Sequence, residues 1–135
     1  MAGTLVANTI NTDTGLFATN NAYLGIAKAW VNFTGATPTI LNSFNVSSIT
    51  RLAQGSYTVS FTTAMANANY ATIVGLSPAI GVSTGAGAWF GGVGTDASGV
   101  ALSSTTSGVR IKTAAYTGPG TAYDAPEIPV SIFGA

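Results

Sequence analysis

The sequence predicts an all-β chain: an antiparallel β-sandwich or jelly-roll-like domain with an extended N-terminal arm. Three observations carry that expectation. Short stretches alternate apolar with small polar residues at period two, the pattern of half-buried strands. Gly, Thr, Ser and Asn separate the stretches, as tight connections between strands require. No segment shows an apolar stripe at helical spacing with caps at its ends. About seven or eight strands are expected over residues 27–135, with residues 1–26 as the arm.

The arm is rich in Thr and Asn and offers no core of its own. Its apolar residues, Leu5, Val6, Ile10, Leu16 and Phe17, come at intervals that suit plugging apolar notches on a partner. KAWVNF follows, with Ala29, Val31 and Phe33 on one face and Lys28, Trp30 and Asn32 on the other. A cation beside two aromatics invites a ligand-box reading. Packing explains the pattern more simply, as a strand whose second face is partly covered and whose Trp30 is placed for a subunit interface.

SFNVSSITRLA, then Gln54-Gly55, then the alternating SYTVSF read as two antiparallel strands joined by a tight turn. In YATIVGL, Tyr70, Thr72, Val74 and Leu76 share one face, with Ala71, Ile73 and Gly75 on the other. GVSTGAGAWFGGVGTDASG, residues 81–99, is expected as a long loop presenting Trp89 and Phe90, or as short strands whose glycines mark close packing. GVRIKTAAY turns Val109 and Ile111 inward and leaves Arg110 and Lys112 on the solvent face. EIPVSIF sets Ile128, Val130 and Ile132 inward, and Pro129 is expected to confine this last strand to an edge or a bulge.

Composition narrows the function. Of 135 residues only 6% are charged, four basic against four acidic, where an ordinary soluble domain has about a quarter. Nucleic-acid binding would need several cations to displace counterions, so it is not expected. No apolar run approaches the roughly 20 residues of a membrane-spanning helix, and no membrane insertion is expected. The opening MAGTLVANTINTDTG lacks a basic region followed by an apolar one, so no secretion signal is expected. With net charge zero and a mean hydropathy of +0.42, the chain reads as a subunit of an assembly.

Candidate chemistry is thin, and no enzyme activity, cofactor or metal is expected. Cys and His are both absent, which removes thiolate sites and the usual base of a nucleophilic triad. Asp124 and Glu127 are three residues apart, but Pro126 lies between them, so they read as solvated turn residues and not as a glycosidase pair. GAGAWFGGVG lacks the spacing, the Lys-Ser/Thr close and the following helix of a phosphate loop. Asp96 stands nearly alone, short of a calcium ligand set.

AKAWVNFTG, SFNVSSIT, SYTVSFTTAM and ANANYA, in that order over about residues 27–71, resemble a β-rich module of tailed-bacteriophage virion proteins, found in tail-fibre-like and in short free-standing structural proteins. MAGTLVANTI is similar to the segment with which many such fibre-like proteins begin. The chain departs from the module at RLAQGS, where an Asn/Gly/Asp-rich turn belongs to the pattern, and residues 72–135 carry no resemblance. The resemblance implies a structural virion protein, usually a homotrimer, with no catalytic residues.

A tail fibre or fibre tip is the function expected on these grounds, with the arm attached to other virion proteins and the domain facing a host-surface glycan or protein. The alternative is a capsid decoration (cement) protein. The expected interaction surface is Trp89, Phe90, Tyr116 and Tyr123. The chain would be made in the host cytoplasm, not secreted, and reside in the virion.

Overall fold

The structure is a computed structural model and describes residues 9–12, 15–18, 25–77, 89–94, 104–115 and 121–134. Its strands are β1 (Thr9–Thr12), β2 (Gly15–Ala18), β3 (Ala27–Phe33), β4 (Ile40–Phe44), β5 (Val46–Ala53), β6 (Ser56–Phe61), β7 (Ala71–Val74), β8 (Trp89–Val93), β9 (Gly108–Ala115), β10 (Thr121–Ala122) and β11 (Ile128–Phe133). The fold is all-β, with two antiparallel main sheets. One runs β4-β3-β11-β7. The other contains β5, β6, β8, β9 and β10. Ile111 and Lys112 of β9 pair with both β6 and β8, so those two strands flank β9, and β10 continues beside it at Ala114 and Ala115.

The described part of the expected arm forms two paired strands and not one extended run. Thr9–Thr12 pairs antiparallel with Gly15–Ala18 as a two-stranded sheet, with Ile10 opposite Phe17 and Asn11 opposite Leu16.

The alternation read from the sequence defines the inner faces. Ala29, Val31 and Phe33 of β3 and Ile128, Val130 and Ile132 of β11 are buried in the four-stranded sheet. Tyr57, Val59 and Phe61 of β6 and Val109 and Ile111 of β9 are buried in the five-stranded one. All belong to a single hydrophobic cluster. Phe33 meets Tyr57 edge-on at 5.2 Å, joining the sheets, and Phe61 meets Tyr70 in the same way at 5.8 Å. Tyr70 also donates its hydroxyl to the carbonyls of Thr105 and Gly108, so its polar tip is satisfied inside the core.

Two tight connections govern the topology. The expected turn at Gln54-Gly55 joins β5 to β6, with Gly55 at φ +63°, where a side chain would be strained. SFNV does not continue as one strand. Asn45, at φ +55°, carries the chain from β4 in one sheet to β5 in the other. Asn tolerates that left-handed backbone. Its side-chain amide donates to the carbonyls of Lys28 and Thr63 and its oxygen accepts from the Thr63 N–H, fastening the corner.

Pro129 does not confine β11 to an edge. β11 is an inner strand, paired with β3 on one side and β7 on the other. The proline fits because β7 ends at Val74, just before its level. Its carbonyl still accepts from Gly75 N–H at 2.8 Å, and only the return bond is missing.

Candidate functional site

Asp124 is the most elaborately bonded side chain described, and it is not a solvated turn residue. Its side chain is 12% exposed. Arg51 Nε donates to both oxygens at 3.2 and 3.1 Å and its terminal nitrogen to Oδ2 at 2.6 Å. Gly55 N–H and the Tyr57 hydroxyl both donate to Oδ1. Solvated at a turn, Asp124 would titrate normally. Here partial burial pushes its carboxyl up, but the Arg51, Gly55 and Tyr57 bonds outweigh that and hold it below the usual carboxylate range. Burial first, then the bond to Asp124, raises the Tyr57 hydroxyl well above an ordinary tyrosine. An acid held ionised beside a phenol held protonated has no proton to exchange near neutrality. With its acceptor sites filled from within, Asp124 serves as a lock between the β5–β6 turn and the chain entering β11.

The outer faces of the two sheets are the surfaces open to partners. In the four-stranded sheet the register places Phe44, Trp30, Ser131 and Ile73 side by side across β4, β3, β11 and β7. Trp30 and Ser131 each lie between buried neighbours on β3 and β11, so this row points outward. Phe44 is 55% exposed and Ile73 61%, while Trp30 is half-buried. Ile40 and Leu41 add exposed apolar surface on β4, where the register shift opposite Asn32 and Phe33 makes Leu41 the extra residue. β4 is also an edge strand, so a row of backbone donors and acceptors accompanies the apolar side chains.

The five-stranded sheet presents a different outer face. Ser48 and Thr50 of β5 stand opposite Ser60 and Thr58 of β6, and Thr58 and Ser56 stand opposite Arg110 and Lys112 of β9. As the alternation required, Arg110 and Lys112 leave the core while Val109 and Ile111 fill it.

Of the expected interaction residues, Trp89 and Phe90 lie in β8, opposite Ala115 and Ala114. Their backbone is strand and not a free loop. A Cβ on neighbouring Gly91 would come within 2.5 Å of Val74 Cγ1, so this glycine marks a close approach of β8 to β7. Tyr123 follows β10, is half-buried against the core and receives the Thr113 hydroxyl on its carbonyl. β8 and β10 thus converge on the same end of β9. Tyr116, Leu5 and Val6 lie outside the described residues. Ile10, Leu16 and Phe17 are in the β1–β2 hairpin.

Phe44, Ile73 and the cleft around Arg110 were not singled out by sequence reasoning. Ile73 had a visible signal, an apolar residue on the outward side of an alternating strand. Phe44 was hidden by the break at Asn45. Among the described residues no group of three or more Asp or Glu could hold a metal ion. No family model, no curated protein and no solved structure matches the chain.

Proposed function

We propose that this chain is a structural subunit of a tailed-bacteriophage virion, a homotrimeric tail fibre or fibre tip that attaches to the host surface, and not an enzyme. The outward row Phe44, Trp30, Ser131 and Ile73 carries this reading. Exposed apolar surface costs about 25 cal/mol per Å2 that a neighbouring chain would recover, and a contiguous patch with an open strand edge beside it is the form a subunit interface takes. In this reading the two sheets are the layers of a jelly-roll-like sandwich. The resemblance of residues 27–71, which here form β3 to β6 and reach both sheets, supplies the virion context. Residues 1–26 serve as the attachment arm, with Leu5, Val6, Ile10, Leu16 and Phe17 toward other virion proteins. The chain is made in the host cytoplasm and ends in the virion.

A second reading is a capsid decoration protein, favoured by the β1–β2 hairpin. It pairs with neither main sheet, and a two-stranded hairpin alone is marginal in water, so a neighbouring subunit could complete it. Counting copies per particle by quantitative mass spectrometry separates the two. A few dozen supports the fibre, hundreds support decoration, and absence from purified particles overturns both.

A further inference from the structure

The hydroxyl-rich face of the five-stranded sheet holds a feature that assembly leaves unused. Thr58, Ser60, Thr105, Ser107 and Arg110 line a cleft of about 230 Å3. Thr58 and Arg110 are cross-strand partners on β6 and β9. Thr105 and Ser107 belong to the turn entering β9 and bond to each other at 3.2 Å. Arg110 is half-buried, and its Nε is buried with no hydrogen-bond partner. The ion pair among the described residues is Arg51 with Asp124, so no carboxylate there occupies the Arg110 guanidinium.

A buried donor without an acceptor is costly, and a guanidinium offers a planar fork that matches a carboxylate through two parallel bonds. The hydroxyls around it donate and accept equally, the requirement of a polyhydroxylated ligand. Lys112 stands two residues further along the same face and adds positive potential. The cleft is smaller than the roughly 300–1,000 Å3 of pockets for drug-sized ligands, which suits one sugar ring.

We propose that this cleft binds a carboxylate-bearing sugar, a uronic acid unit, with its carboxylate on Arg110 and its hydroxyls on Thr58, Ser60 and Ser107. The inference goes beyond the assembly reading and concerns the opposite sheet. A monomeric protein that still binds would sink only assembly, and a trimer that fails to bind would sink only this site.

The test is a two-dimensional NMR titration of the full chain with glucuronic acid, glucose and sodium sulfate in parallel. Glucuronic acid is expected to give saturable shifts at residues 58–60 and 105–110, with half-saturation on the order of 1 mM for a ligand of that size. Arg110→Gln should weaken it at least about tenfold, the loss expected for a charge-assisted pair, and glucose should shift little. Thr58→Val, which removes one hydroxyl at near-constant volume, should also weaken binding and reports on the site if Arg110→Gln does not fold. Silence with glucuronic acid overturns the proposal, as does unchanged affinity in Thr58→Val. Equal shifts from sulfate would mean an anion site without sugar recognition. A silent titration with a lowered melting temperature in Arg110→Gln would make Arg110 a structural residue.

Discussion

The outer faces of the two main sheets share one architecture and differ in chemistry. Across the four-stranded sheet run Phe44, Trp30, Ser131 and Ile73. Across the five-stranded sheet the corresponding outward positions are Ser48, Ser60, Thr50, Thr58 and Arg110. Both inner faces feed one core, so the difference does not come from folding the monomer. A strand facing water on one side alternates apolar with polar. Along β6 and its pairing with β9 the five-stranded sheet obeys that rule, with Leu52 of β5 and Val93 of β8 as exposed exceptions. The four-stranded sheet breaks it at Trp30, Phe44 and Ile73, where a covering chain would restore it.

The largest expected effect lies where the sheets meet. Phe33→Ala should destabilise the chain by about 3–5 kcal/mol, because the ring is fully buried against Tyr57. Trp30→Ala, on the outward face of the same strand, should cost the subunit far less yet weaken assembly. Chemical denaturation with sedimentation on both variants checks the contrast. Equal losses of stability would place Trp30 in the core and erase the distinction between faces.

Gly91→Ala comes next. Its Cβ would crowd Val74 Cγ1 at 2.5 Å and Val74 Cβ at 2.9 Å, where β8 approaches β7. Overpacking of this kind costs about 1–3 kcal/mol, and Val74→Ala should return part of it in the double variant. A melting temperature unchanged by Gly91→Ala would mean that these strand edges are free to separate.

Charge swaps compare the faces directly. Ile73→Lys and Thr50→Lys, both at exposed positions, should each change subunit stability by no more than about 0.5 kcal/mol. Only Ile73→Lys should abolish assembly, read by light scattering. Loss of assembly in Thr50→Lys would put the interface on the wrong sheet.

The smallest effect is in pH. Because the Asp124 carboxyl is held below its ordinary value when folded, its contribution is complete above the unfolded value of roughly 3.9 and is lost as pH falls through the lower folded value. Tyr57, raised when folded, works in the opposite sense. Its contribution is complete below roughly 10 and fades as pH rises toward the higher folded value. Melting temperature against pH should therefore decline at both extremes, and Asp124→Asn should flatten the acid limb. An unchanged acid limb in that variant would remove Asp124 from the lock.

What the sequence made legible was local. Alternation identified the inward residues of β3, β6, β9 and β11, and Gly55 marked its turn, because side-chain direction in a strand is a period-two property. Meetings across the chain left no local trace. Arg51 and Asp124 are 73 residues apart, and nothing near Asp124 announces its partners. The inner placement of β11 was misread because Pro129 is excluded only from positions whose N–H must be bonded, and where β7 stops is not written beside it. Arg110 was correctly placed outside the core, but the cleft needs the turn at 105–107 folded over it. Trp30 raised a question of ligand or packing, and the proposed subunit interface, with Phe44 and Ile73 beside it, takes the side of packing.

Sedimentation velocity of the purified chain, wild type beside Ile73→Lys, tests the assembly face most directly. The wild type should sediment at three times the 13.4 kDa chain mass and Ile73→Lys as a folded single chain. A wild type that remains a folded 13.4 kDa monomer at micromolar concentration, indistinguishable from Ile73→Lys, would contradict it.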